Sequence, residues 1–374
     1  MTQRAEQGAE RGAEPEILFE RRGAAGLVTL NRPKALNALS LAMIAALHAA
    51  LDAWERDAAV TRVVIRAAGG RAFCAGGDIR RVYDQCRAGQ DEAVRAFWSS
   101  EYRLNAAVKR YPKPVVSLIE GIVMGGGVGI SLHGSHRVAS GNYGFAMPEV
   151  GIGFFPDVGM TYALPRLPGR AGTYLALTGS RIGIGDALAL GLATHHVAPE
   201  AIAAVVAALA EGGPVDDVLA AHAAPPPPPG PLAAARGLVD GAFAADSVLA
   251  VLAALDRAAA GSSIANSTFA AETAALIRTR SPTSVAIAHE QMRRGVGLDV
   301  AQALALEYRL ALRVTASHDF FEGVRAVLVD KDGAPAWSPA TPEAVDPAAI
   351  AAFFAPLDGP EPDFGPAMGR DPRP

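Results

Sequence analysis

Disulfides, membrane spans and phosphate loops are all missing from this sequence, and each absence closes off a class of protein. Two cysteines in 374 residues, Cys74 and Cys86, are too few for a disulfide framework and fit a reducing compartment. No apolar run reaches the ~20 residues of a membrane-spanning helix, because charges or turn residues interrupt each one. The N-terminus has no secretory apolar segment, and Glu6, Glu10, Glu14 and Glu16 make it too acidic for a transit peptide. A soluble cytoplasmic protein is the expectation. The formal charge of −4 is small and points to no nucleic-acid partner. Neither G-x-x-x-x-G-K-[ST] nor the G-x-G-x-x-G spacing is found at the glycine-rich turns, which disfavours nucleotide-phosphate binding through those motifs. G-x-S-x-G is absent too, so a serine-hydrolase elbow is disfavoured. No internal repeat occurs.

The chain is long for one core, so a large domain with an appendage, or two domains, is expected. After a polar tail over 1–15, ILFERR (17–22) and GLVTLNR (26–32) read as strands around a glycine turn. Ser40 caps a helix to about Arg56, VTRVVIRAA (60–68) is a buried strand, and a helix spans Asp91 to Arg110. PVVSLIEG (114–121) is another strand, and GIVMGGGVGISLHG (121–134) begins as a glycine run that becomes a helix. Residues 213–230, ending in Pro225–Pro229, read as a stiff extended linker with no packed core. Helical spacing follows at 232–243, 246–259, 268–279, 283–294, 299–316 and 318–328, with Gly295 as a stop; after Pro335 the chain is Pro-rich and mostly irregular. The expectation is an α/β core over 16–212, a linker over 213–230, a helical region over 231–335 and a tail over 336–374.

The stretch Phe145–Gly169 carries two carboxylates, Glu149 and Asp157, in an otherwise largely apolar run, each directly after a proline. Proline suits strand ends and first helical turns, which places Glu149 at the end of a strand and Asp157 at the start of a helix, Val158 to Leu164. Alone, Asp157 reads more readily as a helix cap than as a catalyst. Glu149 is harder to dismiss, since an ionised carboxylate among Phe, Met, Val and Ile costs several kcal/mol unless paired, hydrogen-bonded or protonated. Together the two form a candidate acid–base or nucleophile pair.

Two glycine loops, 69–81 and 121–134, offer backbone N–H groups at Gly77 and Gly126, and a pair of such donors makes an oxyanion hole. Either loop alone would be a tight turn. His133 and His136 are three apart but lack a third ligand, and His195-His196 lies in a short strand, so all four read as structural and no metal is indicated. Cys74 has no readable His partner. Glu101 by itself is a solvated helix charge.

LNRPKALNALS (30–40), AFCAGGDIR (72–80), GIVMGGGVGIS (121–131) and FAMPEVGIGFFPDVG (145–159) together resemble the enoyl-CoA hydratase/isomerase (crotonase) superfamily. EY-x-LN from Glu101, FPDVG, LPRLPG, YLALTG, SPTS and the run 319–340 make the resemblance closer to the 3-hydroxyisobutyryl-CoA hydrolases. It covers about residues 17–354. The resemblance implies a crotonase-like spiral of ββα units with a helical C-terminal region, an acyl-CoA thioester substrate, no further cofactor, a place in valine breakdown, and homo-oligomers. It implies that the amides of Gly77 and Gly126 polarise the thioester carbonyl, that Glu149 attacks it or activates a water, and that Asp157 protonates the departing thiolate or assists the second step. It implies further that Glu101 meets the substrate hydroxyl and that Lys34 and Ala35 contact CoA. Of the two glutamates that hydratases use, one is matched by Glu149 and the other by Gly129, while Asp157 stands where hydratases commonly have glycine. That points to thioester hydrolysis; an enoyl-CoA hydratase or isomerase and an inactive CoA-binding paralogue are the alternatives. Met160, where relatives usually carry glycine, is expected to bear on the acyl pocket.

Overall fold

The computed structural model describes residues 14–261 and 263–366; all but the last two residues of the expected 1–15 tail lie outside the described residues, as do 367–374. β1 (Ile17–Arg22) and β2 (Ala25–Leu30) form an antiparallel hairpin whose turn contains Gly23 at φ 56°. β3 (Arg62–Ala67), β4 (Ala72–Cys74), β5 (Val115–Met124), β6 (His136–Ala146) and β7 (His195–Val197) are parallel to their neighbours, in the order β1-β2-β3-β5-β6-β7 with β4 beside β5. Helices α1 (Leu41–Arg56), α2 (Ile79–Arg87), α3 (Asp91–Arg110) and α4 (Gly126–Leu132) fall between successive strands. The short α5 (Met160–Ala163), α6 (Ala171–Thr178) and α7 (Ile184–Ala189) link β6 to β7. As expected, Ser40 caps α1, its Oγ accepting from Met43 N at 3.2 Å.

Strand alternation distributes the apolar residues over both faces of the sheet. Val63 and Ile65 of β3 join one apolar cluster and Val64 the other, and β5 divides likewise between Val115 and Val116. The second cluster is covered by α8 (Ile202–Glu211) and α9 (Val215–Ala221). Here the structure departs from the expected linker. Val215 and Leu219, four apart on α9, pack on the sheet; Ala224 N then donates to His196 O at 2.8 Å, and Gly230 N to Asp186 Oδ1 at 3.1 Å. Prolines lack an N–H yet keep a carbonyl, and Pro225 O lies 2.9 Å from His196 Nδ1. The segment is docked rather than a free spacer.

Beyond it come α10 (Pro231–Ala234), α11 (Arg236–Ala242), α12 (Val248–Ala259), α13 (Ile264–Arg278), α14 (Pro282–Gly295), α15 (Val300–Val314) and α16 (His318–Val324). The expected helix 318–328 changes pitch, becoming a π-turn at Arg325–Val329. Arg325 braces that turn, bonded to Glu322 at 2.9 Å and to Asp330 and Asp332 at 2.7 Å. Ile287 of α14 and Leu304 of α15 belong to the same apolar cluster as β3, so the helical region shares the core of the sheet. The tail is less irregular than expected: α17 (Pro347–Phe353) packs on α14 and α15, and Phe364 is buried beside Tyr102 and Tyr308. Among the described residues no helix is long and apolar enough to cross a membrane.

Candidate active site

The chain leaving β4 runs alongside Leu39, whose N–H donates to Gly76 O at 2.9 Å while Asp78 N donates to Leu39 O at 3.0 Å. This parallel bridge of Leu39 with Gly77 leaves the N–H of Gly77 turned away from Leu39, and Gly77 itself lines a cavity. Asp78 then caps α2 and pairs with Arg32 at 3.2 Å, which fixes the end of the loop. Gly125 takes φ 46° and ψ −124°, and α4 begins at Gly126, so its first amides have no acceptor inside the helix. A Cβ on Gly126 would lie 3.1 Å from Gly77 N and 2.3 Å from Glu101 Oε1. The two glycines and one carboxyl therefore surround a single small space.

Glu101 is no solvated charge. It lies on the buried stripe of α3 with Phe97, Trp98 and Asn105, and its Oε1 finds no hydrogen-bond partner among the described residues. Glu149 opens a 3-10 turn, Glu149–Ile152, behind Pro148, rather than ending a strand. Its Oε1 lies 3.1 Å from where a Cβ of Gly125 would stand, and its Oε2 is unpartnered among the described residues. The expected helix Val158–Leu164 is shorter: α5 starts at Met160 with Gly159 as its N-cap. Asp157 is therefore not the cap of that helix; its Oδ2 accepts from the Tyr102 phenol at 2.8 Å.

Three buried carboxyls around one cavity cannot all ionise as they would in water. Burial, then the charge of Asp157, holds Glu101 well above the ordinary carboxylate range. Burial, then Asp157, then Glu101, does the same to Glu149. Asp157 is pushed up to about 7 by burial, against the opposing pull of the Tyr102 hydrogen bond.

These groups line one cavity of about 530 Å³ with Trp98 and Phe154, whose rings stack at 5.1 Å. Ala35 and Leu36 lie on its wall; Lys34, beside them, is exposed and does not. Arg280, Val327 and Leu328 line it too, and sequence reasoning did not single them out, although Val327 and Leu328 fall in the run that carried the resemblance. Met160 is fully buried and is not among the lining residues. Gly129 has no room for a side chain: its Cβ would lie 2.6 Å from Asn105 Nδ2 and 2.8 Å from Val158 Cβ.

The loop carrying Asp157 is held from behind by residues also missed. Glu307 of α15 accepts from Gly159 N at 2.6 Å and Thr161 N at 2.8 Å, and Gln291 of α14 donates to Pro156 O at 3.0 Å. Their signal was a polar residue on an apolar stripe, Glu307 with Ala303, Leu304, Leu310 and Ala311. His133 supports the same loop, its Nε2 2.7 Å from Val158 O, and burial holds it neutral, down to about 4. His136 pairs with Asp216 at 3.0 Å, and Cys74 is buried with its thiol pushed up to about 12.

The model of the family described as enoyl-CoA hydratase/isomerase matches residues 25–354. The chain is 44% identical to the mitochondrial 3-hydroxyisobutyryl-CoA hydrolase of Xenopus tropicalis, over 91% of this chain and 89% of that protein. Identity to the Homo sapiens protein of the same name is 41%, over 88% and 85%. Among solved structures, a carnitinyl-CoA dehydratase from Mycobacterium thermoresistibile matches at TM-score 0.86 and 44% identity, over 94% of this chain and 99% of that one. An enoyl-CoA hydratase from Rhodobacter sphaeroides matches at TM-score 0.82 and 40% identity, over 92% and 98%. The curated relatives are named as mitochondrial, which overturns the expectation of a cytoplasmic protein. A low cysteine count fits any reducing compartment and does not separate one from another.

Proposed function

The chain belongs to the 3-hydroxyisobutyryl-CoA hydrolase family, within the crotonase-fold enoyl-CoA hydratase/isomerase superfamily, and from that membership we infer that it hydrolyses 3-hydroxyisobutyryl-CoA to 3-hydroxyisobutyrate and CoA. One observation favours hydrolysis over hydration within this site. Glu149 and Asp157 line the cavity of Gly77 and Gly126, whereas the other position where hydratases carry a glutamate, Gly129, is closed by Asn105 and Val158.

In the reaction we propose, the thioester oxygen sits between the amides of Gly77 and Gly126, each such donor contributing about 3–4 kcal/mol to the transition state. The Glu149 carboxylate attacks the carbonyl carbon, or takes a proton from a water that does so. A carboxyl made more basic by burial is the better base and nucleophile once ionised. The C–S bond then breaks and the thiolate takes the proton of Asp157. With its carboxyl near 7, Asp157 holds a proton to give and can take one back when water completes the cycle. Glu101, beside the hole and held above the ordinary carboxylate range by burial, hydrogen-bonds the substrate hydroxyl, and an acyl group lacking that hydroxyl would leave it unpaired. Ala35 and Lys34, at and beside the mouth, receive the CoA arm. We read the assembled enzyme as a homo-oligomer, which light scattering would detect as a mass of two or more chains. The reaction itself is tested by giving the protein 3-hydroxyisobutyryl-CoA and crotonyl-CoA in parallel. The expected result is free thiol from the first and no hydration of the second; hydration without thiol release would overturn the reading.

A further inference from the structure

The loop that carries Asp157 is built against its own backbone preference. Val158, β-branched, stands at φ 54°, and Gly159 follows at φ 88°. A conformation of that kind persists only where the surroundings over-determine it. Here they do, from both sides of Asp157. Ahead of it, Gln291 Nε2 donates to Pro156 O at 3.0 Å and also to Thr161 Oγ1 at 2.8 Å. Behind it, both oxygens of Glu307 are used, Oε2 by Gly159 N at 2.6 Å and Oε1 by Thr161 N at 2.8 Å. Glu307 is fully buried and is not among the residues lining the cavity, so it reaches the reaction through the loop and through its electrostatic interaction with Asp157.

We infer that Glu307, on a helix of the C-terminal region, is a positioning residue for Asp157, with Gln291 as its companion. Two N–H groups converge on Glu307, whose carboxyl, pushed up to about 8 by burial and then by the charge of Asp157, presents one oxygen to each of them. Glutamine offers one acceptor and turns an NH₂ at the other amide, which releases one end of the Gly159–Thr161 turn. The aim of Asp157 toward the departing sulfur then loosens, while the cavity that binds the acyl-CoA keeps its walls. This makes the C-terminal helices part of the catalytic geometry as well as part of the core. The inference rests on the reading of Asp157 as the group that protonates the thiolate.

The test is steady-state CoA release from 3-hydroxyisobutyryl-CoA by wild type, Glu307→Gln, Gln291→Met, Asp157→Asn and the double variant Glu307→Gln/Asp157→Asn, with Tm measured for each. A displacement of about 1 Å in a catalytic group costs up to ~100-fold in rate. We expect Glu307→Gln to lower kcat by about tenfold or more with KM within about twofold of wild type. The double variant should be no slower than Asp157→Asn alone, because the loss from Glu307 is already contained in that of Asp157. Losses that multiply in the double variant, or a Glu307→Gln enzyme with wild-type kcat, would overturn the inference. Should Glu307→Gln not fold, Gln291→Met and its double with Asp157→Asn carry the same test, and a wild-type kcat or multiplying losses there overturn it equally. If wild type releases no thiol, the hydrolase reading fails first; if it does and Asp157→Asn is as fast, the role of Asp157 and this inference fail together.

Discussion

Tyr102 and Asp157, fifty-five residues apart, meet in the interior through one hydrogen bond, phenol O–H to Oδ2 at 2.8 Å. The bond lowers the proton affinity of Asp157 against the burial that raises it, and the balance places the carboxyl near 7. Removing the phenol oxygen leaves the burial and deletes the opposing contribution, so the Asp157 carboxyl moves higher. In Tyr102→Phe, the limb of the kcat/KM–pH profile that falls as Asp157 ionises should shift to higher pH, with kcat down about tenfold. A pH profile superimposable on wild type would separate Asp157 from the rate-limiting chemistry.

A methyl group on Gly126 would enter the space between the two loops, 2.3 Å from Glu101 Oε1. That oxygen is the far end of a flexible side chain, so the fold should survive and Tm should change little. The oxyanion site should not: Gly126→Ala is expected to lower kcat by about 10²–10³-fold. Thiol release and thermal unfolding on one preparation check both halves.

Glu149 makes stability depend on pH in a definite direction. Its carboxyl binds a proton more tightly in the folded state than at the ordinary 4.5, so the folded state loses stability as pH rises above that value. Glutamine carries no such penalty. The Tm of Glu149→Gln should exceed that of wild type at pH 8, and the excess should shrink as pH falls and vanish near pH 4. Differential scanning calorimetry across that range decides it; an excess independent of pH would mean that Glu149 is not the buried, proton-holding group described.

Gly129→Glu asks whether the hydratase carboxylate can simply be restored. Asn105 and Val158 stand within 2.8 Å of the first atom such a side chain would add. Overpacking of this kind costs about 1–3 kcal/mol, so Tm should fall and hydration of crotonyl-CoA should not appear. A stable variant that hydrates crotonyl-CoA would show the position to be open.

The strands β1, β2 and β3, the first part of β5, both glycine loops and the limits of α3, Asp91 to Arg110, were legible in the sequence because each has a local cause, whereas β4 within the first loop and the long β6 were not read. β-branched runs, glycine runs and end charges act within a few residues of themselves. Glu149 announced itself as a carboxylate in an apolar run, and Gly77 and Gly126 as amides without side chains. Tyr102 did not, because nothing in its spacing from Asp157 marks a contact across fifty-five residues. Glu307 and Gln291 did leave a trace, polar groups on buried stripes, but their partners lie more than a hundred residues away. The proline segment misled for the opposite reason: its composition masks the apolar residues of α9, Val215, Val218 and Leu219, that dock it.

The measurement that bears most directly on the whole account is CoA thiol release from 3-hydroxyisobutyryl-CoA by wild type, Glu149→Gln and Asp157→Asn, read with a thiol reagent. The account predicts release by wild type and a loss of at least about a hundredfold in kcat for each variant, with both variants folded. Thiol release at the wild-type rate by Asp157→Asn or by Glu149→Gln would contradict it, since the reaction would then run without the pair of carboxyls on which the site is read.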